Sequence, residues 1–130
     1  MRNRRAAAEV IPGQSDAESV VGPIALVEFG DLREVHLVKN NGPGGPRLDV
    51  ELLMRSESGR RPAAALRVQC KGVVDFHATG FPIEMQISGL AIDPVQDSQM
   101  EGIRFQVWDY EEGNIKFFAR DVEITSAELL

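Results

Sequence analysis

Two stretches, Ile103-Arg104-Phe105-Gln106-Val107-Trp108-Asp109-Tyr110 and Asn114-Ile115-Lys116-Phe117-Phe118-Ala119, flank the turn Glu111-Glu112-Gly113 and decide the fold class. Their apolar residues recur with a period of two, which is the period of a β-strand, and the short Gly-ended connection makes them a hairpin. With Gly113 in the left-handed position of a three-residue loop, Tyr110 faces Asn114, Trp108 faces Lys116, Val107 faces Phe117 and Phe105 faces Ala119. Ile103, Phe105, Val107, Phe117 and Ala119 then share one face. Trp108, Tyr110 and Phe118 share the other, so this hairpin is apolar on both sides. The second set either packs under another layer of the protein or waits for a partner.

The same period extends upstream. Leu48, Val50, Leu52 and Met54 alternate with Asp49, Glu51 and Leu53, and Leu66, Val68 and Cys70 alternate with Arg67, Gln69 and Lys71. Ile24 to Phe29 and Glu34 to Lys39 read as further strands, and Val73 to Phe76 continues or follows the Cys70 strand after a break at Gly72. Ile83, Met85 and Ile87 form one face, and Ser88-Gly89 then shifts the phase to Leu90 and Ile92, the pattern of a β-bulge. A second phase change after Ala119 predicts another bulge. Asn40 to Pro46, Ser56 to Pro62 and Asp93 to Met100 carry turn residues and read as loops.

With about seven or eight short strands and no long amphipathic helix for parallel crossovers, the expected class is all-β, an antiparallel β-sandwich or open barrel. A chain of 130 residues holds one such domain, expected over 23–130. Residues 1–22, poor in large apolar groups, read as a flexible tail in which Ser15-Asp16-Ala17-Glu18 has the capping-box spacing for one short helical turn.

Charge narrows the function. The net charge is −6, and residues 66–130 hold eleven acids against five bases while residues 1–65 balance nine against nine. A nucleic-acid binder needs clustered Lys and Arg, so that class is excluded, and a cationic partner would be steered to the second half. No segment reaches the roughly 20 apolar residues of a membrane helix. Arg2, Arg4 and Arg5 lead into Ala6-Ala7-Ala8 and Glu9 without the apolar run of a secretory signal. With a single cysteine, Cys70, an internal disulfide is ruled out, and the expected location is a reducing cytoplasm.

Catalytic chemistry is thinly represented. His77 lies two residues from Asp75, and with Cys70 these could form a thiol nucleophile, base and orienting carboxylate in a pocket. Cys70 falls in phase with Leu66 and Val68, which favours burial as a small hydrophobe. Asp93, Asp97 and Glu101 straddle a loop without calcium-loop spacing, and Gly42 to Pro46 precedes neither Lys-Ser/Thr nor a helix. Neither catalytic residue, cofactor nor metal is expected. The first reading is a non-enzymatic protein-binding module that anchors a protein partner on Trp108, Tyr110 and Phe118 and steers it with Asp109, Glu111 and Glu112. Self-association through a sheet edge is a variant of it. The second reading is a small-molecule-binding β domain, or an enzyme, with its pocket near Cys70, Asp75 and His77.

The run Leu66 to Phe76, followed by Gln86-Ile87-Ser88-Gly89-Leu90-Ala91-Ile92 and then Phe105-Gln106-Val107 and Phe117 to Ile124, resembles small β-rich bacterial immunity proteins of polymorphic toxin systems over roughly residues 30–123. That resemblance implies a non-enzymatic antitoxin that binds and blocks a cognate effector, and it brings no catalytic residues. An acidic binder of this kind suits a basic toxin.

Overall fold

The computed structural model describes residues 11–57, 59–79, 90–95, 102–109 and 113–130. Their elements are a helix α1 (Gln14–Val21), a single 3-10 turn (Leu26–Glu28) and the strands β1 (Asp31–Gly42), β2 (Gly45–Arg55), β3 (Ala64–Ala78), β4 (Leu90–Pro94), β5 (Phe105–Asp109), β6 (Ile115–Ala119) and β7 (Asp121–Leu129). The seven strands form one antiparallel sheet in the order β1-β2-β3-β6-β5-β4, with β7 also on β3. The all-β antiparallel expectation holds. The sheet stays open and is not a closed barrel.

β3 is the joint of this sheet. Over Ala65 to Cys70 it is flanked by β2 on one side and β7 on the other, and from Val74 onward it pairs with β6. β6 and β7 run along β3 as one line broken at Arg120, keeping one register across the break, with Cys70 opposite Val122 and Val74 opposite Phe118. This is the phase change read after Ala119. The Gly72 break proves to be internal to one long strand. Gly72 takes φ +65° and Asp75 φ +53°, and the ladder slips beside each of them. Positive φ is ordinary for Gly, and Asp is among the few other residues that adopt it as single positions, so two bulges bend β3 without ending it.

One core serves both parts of the sheet. Val50, Leu52, Met54, Leu66 and Val68 join Val107, Ile115, Phe117 and Val122 in a single buried cluster. The Phe76 and Phe117 rings stack within it at 5.5 Å between centroids. Each large apolar side chain buried here contributes about 1.5–3 kcal/mol, which is why the period-two positions decide the register.

The amino-terminal part differs from expectation. Of the segment read as a tail, residues 11–22 join the fold: Ile11, Ala17 and Val21 are core residues, and α1 lies on β7. The helix is capped by Gly13, not Ser15. Glu18 does not close a capping box, because its carboxylate accepts the Ile24 N–H at 2.8 Å. Gly13, at φ +88°, sits so close to β7 that a Cβ would lie 2.2 Å from the Ile124 carbonyl oxygen. Beside it the Ile124 N–H donates to the Pro12 carbonyl at 2.9 Å, which covers part of the β7 edge.

Ile24 to Phe29, expected as a strand, is not one. Its apolar residues serve a 3-10 turn and the buried Phe29, because the backbone around it is claimed by side chains. Arg60 donates to the carbonyls of Val21 (3.2 Å), Pro23 (2.7 Å) and Pro62 (2.5 Å), pairs with Glu28 at 3.4 Å, and lies 4.9 Å from the Phe29 ring centroid. A buried guanidinium is tolerated because so many acceptors surround it.

Asn40 to Pro46 also departs from the loop expectation. Asn40 and Asn41 pair with Arg47 and Pro46, leaving Pro43-Gly44 as the turn. Pro46 is admissible because β3 pairing with β2 begins only at Leu48, so no ladder bond needs its missing N–H. Ser56 to Pro62 is a connection as read, apart from Ser58, which lies outside the described residues together with the Ile83 to Gly89 stretch.

Gly13→Ala is expected to cost about 2–4 kcal/mol in urea unfolding, because it adds both a strained φ and a backbone clash. Arg60→Met, which strands the carbonyls of Val21, Pro23 and Pro62, should cost about 2–4 kcal/mol. Gly44→Ala, with nothing within 4 Å of the new Cβ, should stay within about 0.5 kcal/mol of wild type.

Candidate functional site

The closing hairpin has the register read from its sequence: Phe105 faces Ala119, Val107 faces Phe117 and Trp108 faces Lys116. Gly113 is left-handed at φ +68°, and its N–H donates to the Asp109 carbonyl at 2.9 Å. Phe105, Val107, Ile115, Phe117 and Ala119 are buried, and Gln106, Trp108 and Phe118 on the opposite face are half-buried.

That opposite face spans four strands. Trp108 stands between Ala91 of β4 and Lys116 of β6, and its indole N–H donates to the Asp93 carboxylate at 2.8 Å. Phe118 stands between Gln106 of β5 and Val74 of β3, with the Lys116 ammonium 6.0 Å from its ring centroid. Val74 is 37% exposed, and His77, opposite Lys116, is exposed as well. Two half-buried aromatic side chains thus share a strand platform with charges of both signs around them. Held this way, Trp108 and Phe118 offer apolar area at little cost in side-chain entropy, which suits docking.

Not all expected site residues share this face. Asp109, read as a solvated steering charge, is fully buried. The reason is parity: it lies two residues beyond Val107 on the same strand and must point the same way. Tyr110, Glu111 and Glu112 lie outside the described residues. Asp93, Val74 and Lys116 were not singled out for this surface. Asp93 was read in a loop, yet β4 runs through it to Pro94.

The alternative constellation is not assembled. Cys70 is completely buried between Val50 of β2 and Val122 of β7, whereas Asp75 and His77 are exposed. Burial, helped by the Asp49 carboxylate, pushes the Cys70 thiol from its ordinary value of 9.0 up to about 12. The thiolate that nucleophilic chemistry needs is suppressed. Among the described residues no three His, Cys, Asp or Glu side chains converge as a metal site, and Asp97 and Glu101 lie outside them. No helix of the described residues is long and apolar enough to cross a membrane.

Cys70 should therefore be unreactive toward a thiol reagent in the native state and fully reactive in urea. The unfolded thiol ionises near 9 while the folded one holds its proton, so this residue's contribution to stability is whole below pH 9 and is lost as pH rises toward 12. A Cys70→Ser comparison of unfolding free energy across that range checks the sign.

No curated protein and no solved structure matches the chain. A family model does match, described as Immunity protein PIM8, and it spans residues 26–125, from the 3-10 turn before β1 into β7. With the platform-bearing sheet almost wholly inside that match, the chain belongs to the PIM8 family of immunity proteins.

Proposed function

We propose that this chain neutralises a cognate protein toxin by binding it, with no enzymatic step of its own, and that the toxin docks on the β3–β6–β5–β4 face around Trp108 and Phe118. Family membership is the observation that carries the reading. The location is supported by the platform, where both aromatics are ordered by neighbours yet partly open to solvent.

The partner in this proposal is basic. The whole net charge of −6 arises in residues 66–130, the half of the chain that supplies β3 through β7. Carboxylates such as Asp93 and Asp75 stand exposed on β4 and β3, and Glu111 and Glu112 follow the platform in sequence. Long-range attraction of this kind raises the association rate and weakens with salt. The single thiol, buried and held protonated, suits action in a reducing cytoplasm.

The test is capture from a lysate of the source cells with the full chain as bait, followed by expression of the captured protein alone and together with the bait. A basic protein that arrests growth alone and is silent with the bait is the expected result. Trp108→Ala with Phe118→Ala should weaken that complex by about a thousandfold, since two anchors at about 2 kcal/mol each are lost. A folded double variant that protects as well as wild type would move the docking surface elsewhere.

A further inference from the structure

Bordering the region already discussed at Val74, the Pro43-Gly44 turn and the Arg120 break line a cavity of about 300 Å³. Its wall includes Pro43, Pro46, Arg47, Lys71, Val73 and Arg120. In a chain of net charge −6, three cations on one wall are unexpected.

The balance of charge there is positive even after neighbouring pairs are counted. Arg47 is held by the buried Asp49 at 3.2 Å, and Asp49 in turn accepts the Gly72 N–H at 3.1 Å and the Asn40 amide at 2.6 Å. Asp121, also on the wall, is engaged by Arg104 at 2.8 Å. Among the described residues neither Lys71 nor Arg120 has a carboxylate within ion-pair distance. Asp49 and Asp121 thus each have an arginine partner, while Lys71 and Arg120 have no ion-pair partner among the described residues.

Arg120 is also positioned. Its stem crosses Gly72, where a Cβ would come within 2.9 Å of its Cδ, and its Nε passes Gly102, where a Cβ would lie at 3.5 Å. Both glycines have positive φ, so these are positions where side chains are disfavoured. Its backbone N–H donates to the Lys71 carbonyl at 2.9 Å, tying the two cation-bearing residues together across the β3 ladder. A guanidinium whose path is cleared and whose fork meets no carboxylate among the described residues is preorganised for an external oxyanion.

We propose that this cavity binds the phosphoryl or carboxylate group of a small anionic ligand, with Arg120 as the fork and Lys71 as the second charge. The cavity meets the toxin-binding platform only at Val74; its two cations, Lys71 and Arg120, are not platform residues, and it needs no partner protein.

The experiment is an NMR titration of the isotope-labelled full chain with inorganic pyrophosphate and, separately, citrate at low salt, repeated with Arg120→Gln and Lys71→Gln. Saturable shifts confined to the amides of Gly45, Arg47, Lys71 to Val74 and Arg120 are expected. Each variant should weaken binding about tenfold, the loss of one charge-assisted contact. Tighter binding of pyrophosphate assigns a phosphoryl ligand, and tighter binding of citrate a carboxylate one. Shifts that never saturate, or that persist unchanged in both variants, would overturn the site. Gln keeps the Arg120 stem over Gly72, and Lys71→Gln supplies an independent reading if the first variant loses its fold.

Discussion

Everything in this molecule hangs on the hydrogen-bonding capacity of one strand. β3 pairs with β2 along one edge and with β7 and then β6 along the other, so β1 joins it through β2, β5 through β6, and β4 through β5. A straight strand of this length would carry its ends away from a common core. The slips beside Gly72 and Asp75 bend it back, and the side chain of Asp49 takes up the Gly72 N–H that the slip would otherwise leave unpaired in a buried place. The opposing break at Arg120 matches this bend on the partner strand line, so both members of the ladder turn together.

The amino-terminal segment closes the arrangement by a different device. α1 is short, and a helix of its size has little stability alone. It is fastened at one end by the Pro12-Gly13 approach to Ile124 and at the other by Arg60, which collects the carbonyls beyond the helix end and lays its guanidinium on Phe29. The 3-10 turn so positioned touches β4, linking the start of the sheet to its far side. Polar fasteners thus complete a core that the strands alone would leave open.

The sequence was most legible where alternation and turn chemistry agreed. The hairpin register followed from Phe105, Val107, Phe117 and Ala119 together with Gly113, because a slip by one residue would turn each of these outward. Asp109 defies the expectation from its charge because its parity with Val107 turns it into the core. Ile24 to Phe29 looks like a strand because hydrophobicity reports burial and not backbone partners, and the partners here are the Glu18 carboxylate for the Ile24 N–H and the Glu57 N–H for the Glu28 carbonyl. Asn40 and Asn41 looked like loop residues, yet an edge hairpin admits them when their backbone pairs and Asn40 caps a buried carboxylate. The aromatic half of the platform was readable from Trp108 and Phe118. Its polar and aliphatic half was not, since Asp93 and Val74 arrive from strands whose pairing no local pattern encodes.

The dependence of β3 on β7 has a consequence for how the protein is made. Residues 64–71 need partners at 121–129, fifty or more positions later in the chain. During synthesis β1, β2 and β3 can pair as a meander as soon as they emerge, but the second edge of β3 stays bare until the last of these strands has left the ribosome. For that interval the nascent chain presents an open, apolar strand edge of the sort that recruits other chains, and rapid capture of β7 is what separates productive folding from aggregation.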